Sequence, residues 1–136
     1  MGAPFVTAQI LRLCDCDVQG HVNNAVYAVL YEAGRAEMLL PLGLIGGAFA
    51  AVIVRLEIDF IREMNWPGEV RIETEVARFG TKSLHLRQRL TMYGEVTSRA
   101  RSVVAVIDTQ TRRSVAWSEA WRAALANYLV IDEAVT

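Results

Sequence analysis

The residues best suited to chemistry lie together in one short segment of the chain, residues 15–27. This segment carries two carboxylates, Asp15 and Asp17, with a histidine, a glycine and two adjacent asparagines. Apolar side chains at helical spacing follow from Ala25 onward, so the segment leads into a predicted helix start. A helix start leaves about four N–H groups unpaired and carries positive partial charge, which stabilises an oxygen that becomes negative during acyl transfer. A carboxylate just upstream can attack the acyl carbon or activate water, so the arrangement is typical of an acyl-transfer site.

The same residues also have a purely structural interpretation. Asp15, Asp17 and Asn24 are of the residue types that commonly form turns and cap helices, because their short polar side chains bond to nearby backbone groups. Spacing alone leaves both interpretations open.

The elements that must position this segment are one long helix and a series of strands. Residues 5–13 alternate apolar and polar side chains, as a strand does, and residues 14–24 form a polar loop. The helix is predicted to run from Ala25 to the terminators Pro41 and Gly43. Further strands are predicted at residues 49–61, 69–78, 83–92, 95–108 and 114–117, and a short helix at residues 118–126 with Ser118 as its N-cap.

One apolar helix followed by antiparallel strands predicts an α+β fold, a single domain over residues 1–136 in which a curved sheet wraps around the helix and buries it on most sides. Gly34 in the helix interior costs about 0.5–1 kcal/mol relative to alanine, so it predicts a close contact with the sheet. The charged helix residues Glu32, Arg35 and Glu37 either form structural contacts or line the pocket.

The segment from Asp17 to Tyr27 resembles the signature of the hotdog-fold thioesterases of the 4-hydroxybenzoyl-CoA thioesterase type. That pattern runs Asp, two variable residues, Gly, His or an apolar residue, Val, Asn, Asn, two variable residues, Tyr. Residues 31–37 are similar to the helix that follows in this family, and residues 78–83 are similar to its Gly-x-x-Ser segment. The residues that match the first signature are Asp17, Gly20, His21, Val22, Asn23, Asn24 and Tyr27.

The resemblance implies hydrolysis of acyl-CoA thioesters to free acid and CoA. It implies that Asp17 is the nucleophile or general base, that the backbone N–H near Asn24 polarises the thioester carbonyl, and that His21 is part of the catalytic site. The residues implied to contact substrate are Gln19, Gly20, Asn23 and Tyr27 near Asp17, with Arg78, Gly80, Lys82 and Ser83 along the CoA arm.

The resemblance also implies a homodimer or a homotetramer built from dimers, in which one subunit supplies Asp17 and the other the helix start. An apolar content of 53% in 136 residues and the open strand edges of such a sheet favour association as well. One departure from the family is local: Phe60-Ile61-Arg62 is followed by Glu63, where the family often has a proline shortly afterwards.

Composition limits the other function classes. The 14 basic and 15 acidic side chains give a net charge of −1, which argues against a nucleic-acid partner. No segment reaches the roughly 18–20 apolar residues of a membrane span and no signal peptide is recognisable, so a cytoplasmic protein is expected. The absence of a Gly-x-Ser-x-Gly motif excludes a typical serine hydrolase. No metal or other cofactor is expected, and Cys14 and Cys16 are expected to be reduced.

Two alternatives to acyl-CoA hydrolysis stay open, namely hydrolysis of an acyl group carried by an acyl carrier protein, and binding of acyl-CoA without catalysis. A carrier protein would need a basic surface, for which Arg99, Arg101, Arg112 and Arg113 are modest candidates. A binder without activity has no use for the carboxylate of Asp17. The acyl group, the choice between a nucleophile and a general base, and the choice between dimer and tetramer are also open.

Overall fold

Six strands and two α-helices account for the regular structure of residues 2–130, the part of the chain that the computed structural model describes. The helices are α1 (Asn24–Leu39) and α2 (Glu119–Leu125), and 3₁₀ turns occupy Leu13–Asp15, Leu40–Leu42 and Ala126–Tyr128. The strands are β1 (Phe5–Ile10), β2 (Phe49–Phe60), β3 (Glu69–Phe79), β4 (Ser83–Met92), β5 (Glu95–Asp108) and β6 (Ser114–Val115).

All six strands belong to one antiparallel sheet in the order β1-β3-β4-β5-β2, and the short β6 pairs with β5. The sheet curls, and α1 packs on one of its faces over β1, β3 and β4. This architecture is the α+β hotdog fold that the sequence predicts. Strands β1 and β2 form the two edges of the main sheet.

Strand β3 shows why the sheet has one apolar face and one charged face. Its side chains alternate, as strand geometry requires. The series that starts at Val70 points toward α1 and is fully buried, whereas the charged series that starts at Arg71 points away from it. Glu73 of the charged series is only 7% exposed, because Arg71 and Arg89 both bond its carboxylate. We call the side of the sheet that faces α1 the inner face and the other side the outer face.

Helix α1 approaches the inner face most closely at Gly34. A Cβ atom at this position would lie 2.7 Å from Cγ2 of Ile72 and 3.1 Å from Nε2 of Gln88, which is too close for any other residue without a shift. The Gln88 amide donates to the Tyr31 carbonyl at 3.1 Å and to the Thr74 hydroxyl at 2.9 Å, so it ties the helix to two strands. The close contact predicted at Gly34 is confirmed.

The side of α1 that faces away from the sheet is open, with Val29 54% exposed. The helix therefore buries one face against the curled sheet and leaves the opposite side open. Two of its charged residues make structural contacts: the Thr7 hydroxyl donates to Glu37, and the Arg35 guanidinium donates to the Gln88 carbonyl oxygen at 3.3 Å. Burial lowers the pKa of Arg35.

The hairpin between β4 and β5 lies where the sequence predicts it. Tyr93 and Gly94 have φ values of 51° and 78°. Two consecutive positive φ angles are the geometry of a type I′ turn, which matches the twist of the flanking strands. Strands β4 and β5 consequently have their predicted bounds, whereas β1 ends at Ile10 and not at residue 13, because the chain turns at Leu13–Asp15.

Aromatic rings hold the second helix against the sheet. Trp117 is 3% exposed and packs edge-on against Trp121 with ring centroids 5.8 Å apart. Trp121 in turn contacts the Phe49 ring at 5.4 Å. The predicted N-cap is confirmed, since the Ser118 hydroxyl accepts a hydrogen bond from the Trp121 N–H at 3.1 Å.

Edge strand β2 is long, irregular and partly apolar on its exposed side. Its register against β5 shifts between Ile53 and Arg55, which marks a β-bulge. Val54 is 61% exposed and Phe60 is 51% exposed. Unpaired backbone groups beside exposed apolar side chains make this edge a surface with which another strand can pair.

Candidate active site

The loop that precedes α1 is closed on itself by short-range hydrogen bonds. The Asp17 N–H donates to the His21 carbonyl at 2.8 Å, and the Gly20 N–H donates to the Asp17 carbonyl at 3.0 Å. Gly20 has a φ of 81°, a left-handed conformation that glycine adopts without steric cost. The tight turn of residues 17–21 is therefore a local property of this sequence.

The Asp17 carboxylate is exposed, and the backbone holds one of its two oxygens. Its Oδ1 atom accepts hydrogen bonds from the N–H groups of Gln19 at 2.8 Å and of His21 at 3.2 Å. Its Oδ2 atom has no hydrogen-bond partner in residues 2–130. The backbone thus orients the side chain and leaves the second oxygen available to a substrate or a water molecule.

The start of α1 faces the same space. The Asn23 side chain caps the helix by accepting a hydrogen bond from the Ala25 N–H at 3.0 Å. The Asn24 N–H finds no acceptor in the described part of the chain. Such a free N–H at a helix start is a donor for an oxygen that gains negative charge. Asn24 is one of the residues that line a cavity of about 230 Å³, the others being Asp17, His21, Val22, Tyr27, Phe60, Ile61, Arg62 and Glu63.

This cavity bears on which subunit contributes Asp17 and which contributes the helix start. The family resemblance implies that Asp17 and the helix start come from two different chains. Here one protomer brings Asp17 and Asn24 to the same cavity. Asp17 and Asn24 of a single protomer therefore line one cavity.

The connection between β2 and β3 forms the opposite wall and anchors the loop. The Val22 N–H donates to the Met64 carbonyl at 2.8 Å, and His21 pairs with Asn65 in an isolated β-bridge. The His21 Nε2 atom lies 3.1 Å from the Glu63 Oε2 atom. The cavity therefore contains a second carboxylate, which is in contact with the histidine.

Glu63 is the site residue that the sequence analysis missed. It lies far from Asp17 along the chain and outside every periodic pattern, so spacing does not connect the two residues. The one signal was the departure from the family pattern after Phe60-Ile61-Arg62, which places a carboxylate where a different loop is common. A departure from the family pattern near a candidate site is thus itself a reason to look for a site residue.

Tyr27 forms a wall of the cavity. It is 3% exposed, its hydroxyl donates to the Arg62 carbonyl at 3.1 Å, and its ring packs edge-on against Phe60 with centroids 4.9 Å apart. Burial, together with the nearby Glu63 carboxylate, raises the pKa of Tyr27. Because the hydroxyl already has a partner, Tyr27 can meet a substrate through its ring.

Asp15, the other carboxylate of the segment, has a different environment. It is 6% exposed, and its two oxygens accept hydrogen bonds from Arg12, from the backbone N–H at 2.7 Å and from the guanidinium at 3.0 Å. Its carbonyl accepts the Asn23 N–H at 2.9 Å. Burial alone would raise the pKa of Asp15, but the hydrogen bonds and charge of Arg12 outweigh burial and leave the pKa below its usual value. Asp15 is a structural residue of the loop.

The residues expected to contact CoA lie at the other end of the sheet. Strand β3 begins close to the loop of Asp17 and has 11 residues, which at about 3.3 Å per residue places its far end roughly 30 Å away. One protomer therefore does not bring these residues to Asp17. They are Arg78, Gly80, Lys82 and Ser83.

Residues 79–83, which connect β3 to β4 and which we call the far hairpin, are held by several hydrogen bonds. The Gly80 N–H donates to the Ser83 carbonyl at 2.7 Å, and the Gly80 carbonyl accepts from the Arg122 guanidinium at 2.7 Å. The Ser83 hydroxyl lies 3.1 Å from Nε2 of His85. Burial, with the positive charge of Arg78, lowers the pKa of His85, so its ring favours the neutral form.

Comparison with known proteins identifies the family. The family model described as the thioesterase-like superfamily matches residues 11–125. This chain belongs to that superfamily. Its enzymes hydrolyse thioesters, and this thioesterase has the hotdog fold of the family. No curated protein matches it significantly.

Solved structures of thioesterases are similar to this thioesterase over nearly its whole length. A predicted thioesterase from Bacillus stearothermophilus is 28% identical, with a TM-score of 0.85 over 94% of this chain and 98% of the other. A thioesterase from Thermus thermophilus complexed with coenzyme A and Zn is 28% identical, with a TM-score of 0.81 over 91% and 93%. The probable thioesterase YbaW from Escherichia coli is 25% identical, with a TM-score of 0.78 over 93% and 99%.

Two further findings concern metal sites and membrane-spanning helices in the described part of the chain. Among residues 2–130, no three or more His, Cys, Asp or Glu side chains are grouped so that they could hold a metal ion. None of the helices in that part of the chain is long and apolar enough to cross a membrane.

Proposed function

We propose that this thioesterase hydrolyses acyl-CoA thioesters, with Asp17 as the catalytic carboxylate and the Asn24 N–H as the donor to the thioester carbonyl. One observation carries the proposal: Asp17, whose Oδ2 atom has no hydrogen-bond partner in residues 2–130, and Asn24, whose N–H has no acceptor there, are both lining residues of the same cavity. A carboxylate oxygen and a preorganised donor are the two groups that acyl transfer requires. The similar thioesterase in complex with coenzyme A supports CoA as the carrier.

The position of Asp17 is compatible with two routes. As a nucleophile, Oδ2 bonds to the acyl carbon, CoA leaves as its thiolate, and water then hydrolyses the acyl-aspartyl anhydride. As a general base, Asp17 takes a proton from water while the water oxygen bonds to the acyl carbon, and the tetrahedral intermediate expels the thiolate. In both routes the carbonyl oxygen becomes negative and accepts the hydrogen bond from the Asn24 N–H.

We assign His21 and Glu63 a positioning role. The His21 backbone N–H donates to Oδ1 of Asp17, and the His21 ring contacts Glu63. An imidazole with a fixed carboxylate partner has a fixed orientation. Glu63 thereby steadies His21, and His21 steadies the catalytic carboxylate.

A second copy of the chain would complete the site for the CoA arm. Two chains that pair β2 against β2 around a two-fold axis run antiparallel, so the Asp17 end of one sheet meets the far hairpin of the other. The residues Arg78 and Lys82 of one copy then come toward the catalytic loop of its partner. We therefore propose a homodimer, or a tetramer of such dimers, as the active form.

The direct test is release of free thiol from a panel of acyl-CoAs of different chain length, including aryl acyl groups. We expect turnover of at least one substrate well above the buffer rate, and none when the same acyl groups are presented as oxygen esters of a simple alcohol. The absence of turnover with every acyl-CoA would reject CoA thioesters as substrates. Turnover of acyl groups on a carrier protein alone would then establish the carrier-protein alternative.

Assembly is tested separately by light scattering together with an activity assay. We expect a mass of at least twice 15.1 kDa at micromolar concentration. A fully active protein with the mass of one chain would reject the shared site for the CoA arm, and would leave the assignment of Asp17 intact.

A further inference from the structure

The outer face of the sheet carries four arginines in its centre, on the side of the sheet away from α1. The strand register places Arg87 opposite Arg101 and Arg89 opposite Arg99 across β4 and β5. Carboxylates flank these arginines on the neighbouring strands. On β3, Glu75 and Glu73 lie opposite Arg87 and Arg89, and on β2, Glu57 and Asp59 lie opposite Arg101 and Arg99.

The two arginines of β4 have carboxylate partners. Arg89 Nε lies 2.5 Å from Oε1 of Glu73, and a nitrogen of the Arg87 guanidinium lies 3.6 Å from Oε2 of Glu75. Glu73 is nearly buried, so this side of the arginine cluster is fixed in place.

The two arginines of β5 differ from those of β4. Arg99 and Arg101 are exposed, and neither forms an ion pair with any carboxylate in residues 2–130. The nearest candidate for Arg101, Glu57, contacts Arg55 at 3.5 Å instead. Two guanidinium groups therefore remain free to bind an anion.

Like charges directly opposite each other on neighbouring strands destabilise a sheet. Arginine cannot relieve this repulsion by losing its proton, because its guanidinium stays protonated in proteins. A bound anion can relieve it. Strands lie about 4.8 Å apart and residues i and i+2 about 7 Å apart, so the four arginine stems outline a small rectangle.

A cavity of about 470 Å³ lies over this rectangle and is lined by the four arginines and the four flanking carboxylates. The positive strip is two strands wide and has negative charge on both sides. Such a strip repels a broad acidic protein surface at its margins and accepts a compact anion at its centre. Phosphate groups fit it best, because they combine high charge with oxygens that arginine can bind in pairs.

We propose that Arg87, Arg89, Arg99 and Arg101 form a binding site for a compact di- or triphosphate on the outer face, separate from the site of Asp17. The same chemistry is present in inorganic diphosphate and in the phosphate chain of a nucleotide. The proposal is independent of the acyl-CoA assignment, because it uses the opposite face of the sheet and none of the residues of the catalytic cavity.

The test is calorimetric titration of the full-length protein with inorganic diphosphate, with tripolyphosphate and with ATP. The informative variant is Arg99→Gln/Arg101→Gln, and Arg112→Gln/Arg113→Gln is the matched control that removes two exposed arginines from a turn outside the cluster. We expect the dissociation constant to rise at least tenfold in the first variant and to stay within twofold of the original in the control. Binding of diphosphate alone identifies free phosphates as ligands, whereas binding of ATP alone identifies a nucleotide.

Three readouts keep the test interpretable. The first variant should have a melting temperature no lower than the parent, because it loses like-charge repulsion, and its KM for acyl-CoA should be unchanged. Arg99→Lys/Arg101→Lys should recover part of the affinity, because lysine keeps the charge and loses the paired geometry. No binding by any of the three ligands at millimolar concentration, equal binding by the two double variants, or a loss of oligomer mass on Arg99→Gln/Arg101→Gln without anion binding would each overturn the proposal.

Discussion

Asp15 and Asp17 lie two residues apart in one loop and have opposite environments. Asp15 is buried, both of its oxygens are bonded to Arg12, and its pKa is lowered. Asp17 is exposed, it is bonded within residues 2–130 through Oδ1 and not through Oδ2, and it lines the cavity at the start of α1. The difference shows that one loop can hold two carboxylates for two purposes. Asp15, with both oxygens bonded, holds the backbone, whereas Asp17, with one oxygen free, can react.

The largest expected effect concerns the reactive member of the pair. Asp17→Asn should reduce kcat for acyl-CoA hydrolysis by about 10²- to 10⁴-fold, the range for loss of a general base. Asparagine can still accept the two backbone hydrogen bonds, so the melting temperature should change little. Steady-state kinetics and calorimetry measure the two quantities.

Asp15→Asn is the matched control for that substitution, since it makes the same chemical change two residues away. If Asp17→Asn kept a near-normal rate, the two carboxylates would both be structural. The catalytic carboxylate would then have to be sought at Glu63 in the cavity or at the helix residues Glu32 and Glu37.

The second effect concerns the structural member. Asp15→Asn should lower the free energy of unfolding by about 1–3 kcal/mol, because it weakens charged hydrogen bonds of a buried group. The activity of the folded fraction should be retained. Urea unfolding followed by circular dichroism gives the free energy, and a large loss of kcat with unchanged stability would reverse the roles assigned to the two residues.

The same interaction predicts a pH dependence. The folded-state pKa of Asp15 is lowered, so its contribution to stability is fully present above the usual carboxyl pKa of about 3.9 and is lost as the pH falls through the folded-state pKa. Unfolding free energies of the parent protein and of Asp15→Asn should therefore converge in acid. Parallel curves down to the acid transition would show that Arg12 does not stabilise the charged form of Asp15.

The third effect concerns stability again, at the contact between α1 and the sheet. Gly34→Ala should cost about 1–2 kcal/mol of unfolding free energy, because overpacking against Ile72 exceeds the gain in helix propensity. A double-mutant cycle with Ile72→Ala isolates the contact, and the cost of Gly34→Ala should shrink in that background. If Gly34→Ala instead raised the unfolding free energy, the Ile72 side chain would have to shift to make room for the added methyl group.

The smallest effect concerns Glu63, the second carboxylate of the cavity that Asp17 lines. Glu63→Gln should reduce kcat by about fivefold or less, because exposed ion pairs are worth about 1 kcal/mol at most. Steady-state kinetics measures this effect, and a kcat equal to that of the parent protein would remove Glu63 from the site.

Most of the fold follows from local patterns in the sequence. Strands β4 and β5 have their predicted bounds, because Tyr93 and Gly94 specify a tight turn and the flanking residues alternate. The last predicted strand was too long: β6 covers only Ser114–Val115, because the cap at Ser118 and the packing of Trp117 take over the following residues. Periodicity does not reveal where a neighbouring element competes for residues.

Only those residues of the candidate site that lie close together in the sequence were predictable. The signature from Asp17 to Asn24 lies in one continuous segment, so its residues could be named from the sequence. Glu63 reaches the cavity through pairing between the loop and the β2–β3 connection, and no short-range pattern encodes that contact. Similarly, the alternation of each strand predicts outward arginines, but only the register shows that four of them meet.

The close approach at Gly34 holds α1 against the sheet at one point of a helix whose first residue, Asn24, lines the candidate site. If the helix tilts at this contact, Gly34 is the pivot, and at about 1.5 Å per residue Asn24 lies roughly 15 Å away along the helix. A tilt of a few degrees at the pivot would move the Asn24 N–H by about 1 Å, a displacement large enough to matter for catalysis. Changes in the sheet beneath Gly34, at Ile72 or Gln88, can therefore tune the reaction rate from a distance without altering any residue of the cavity.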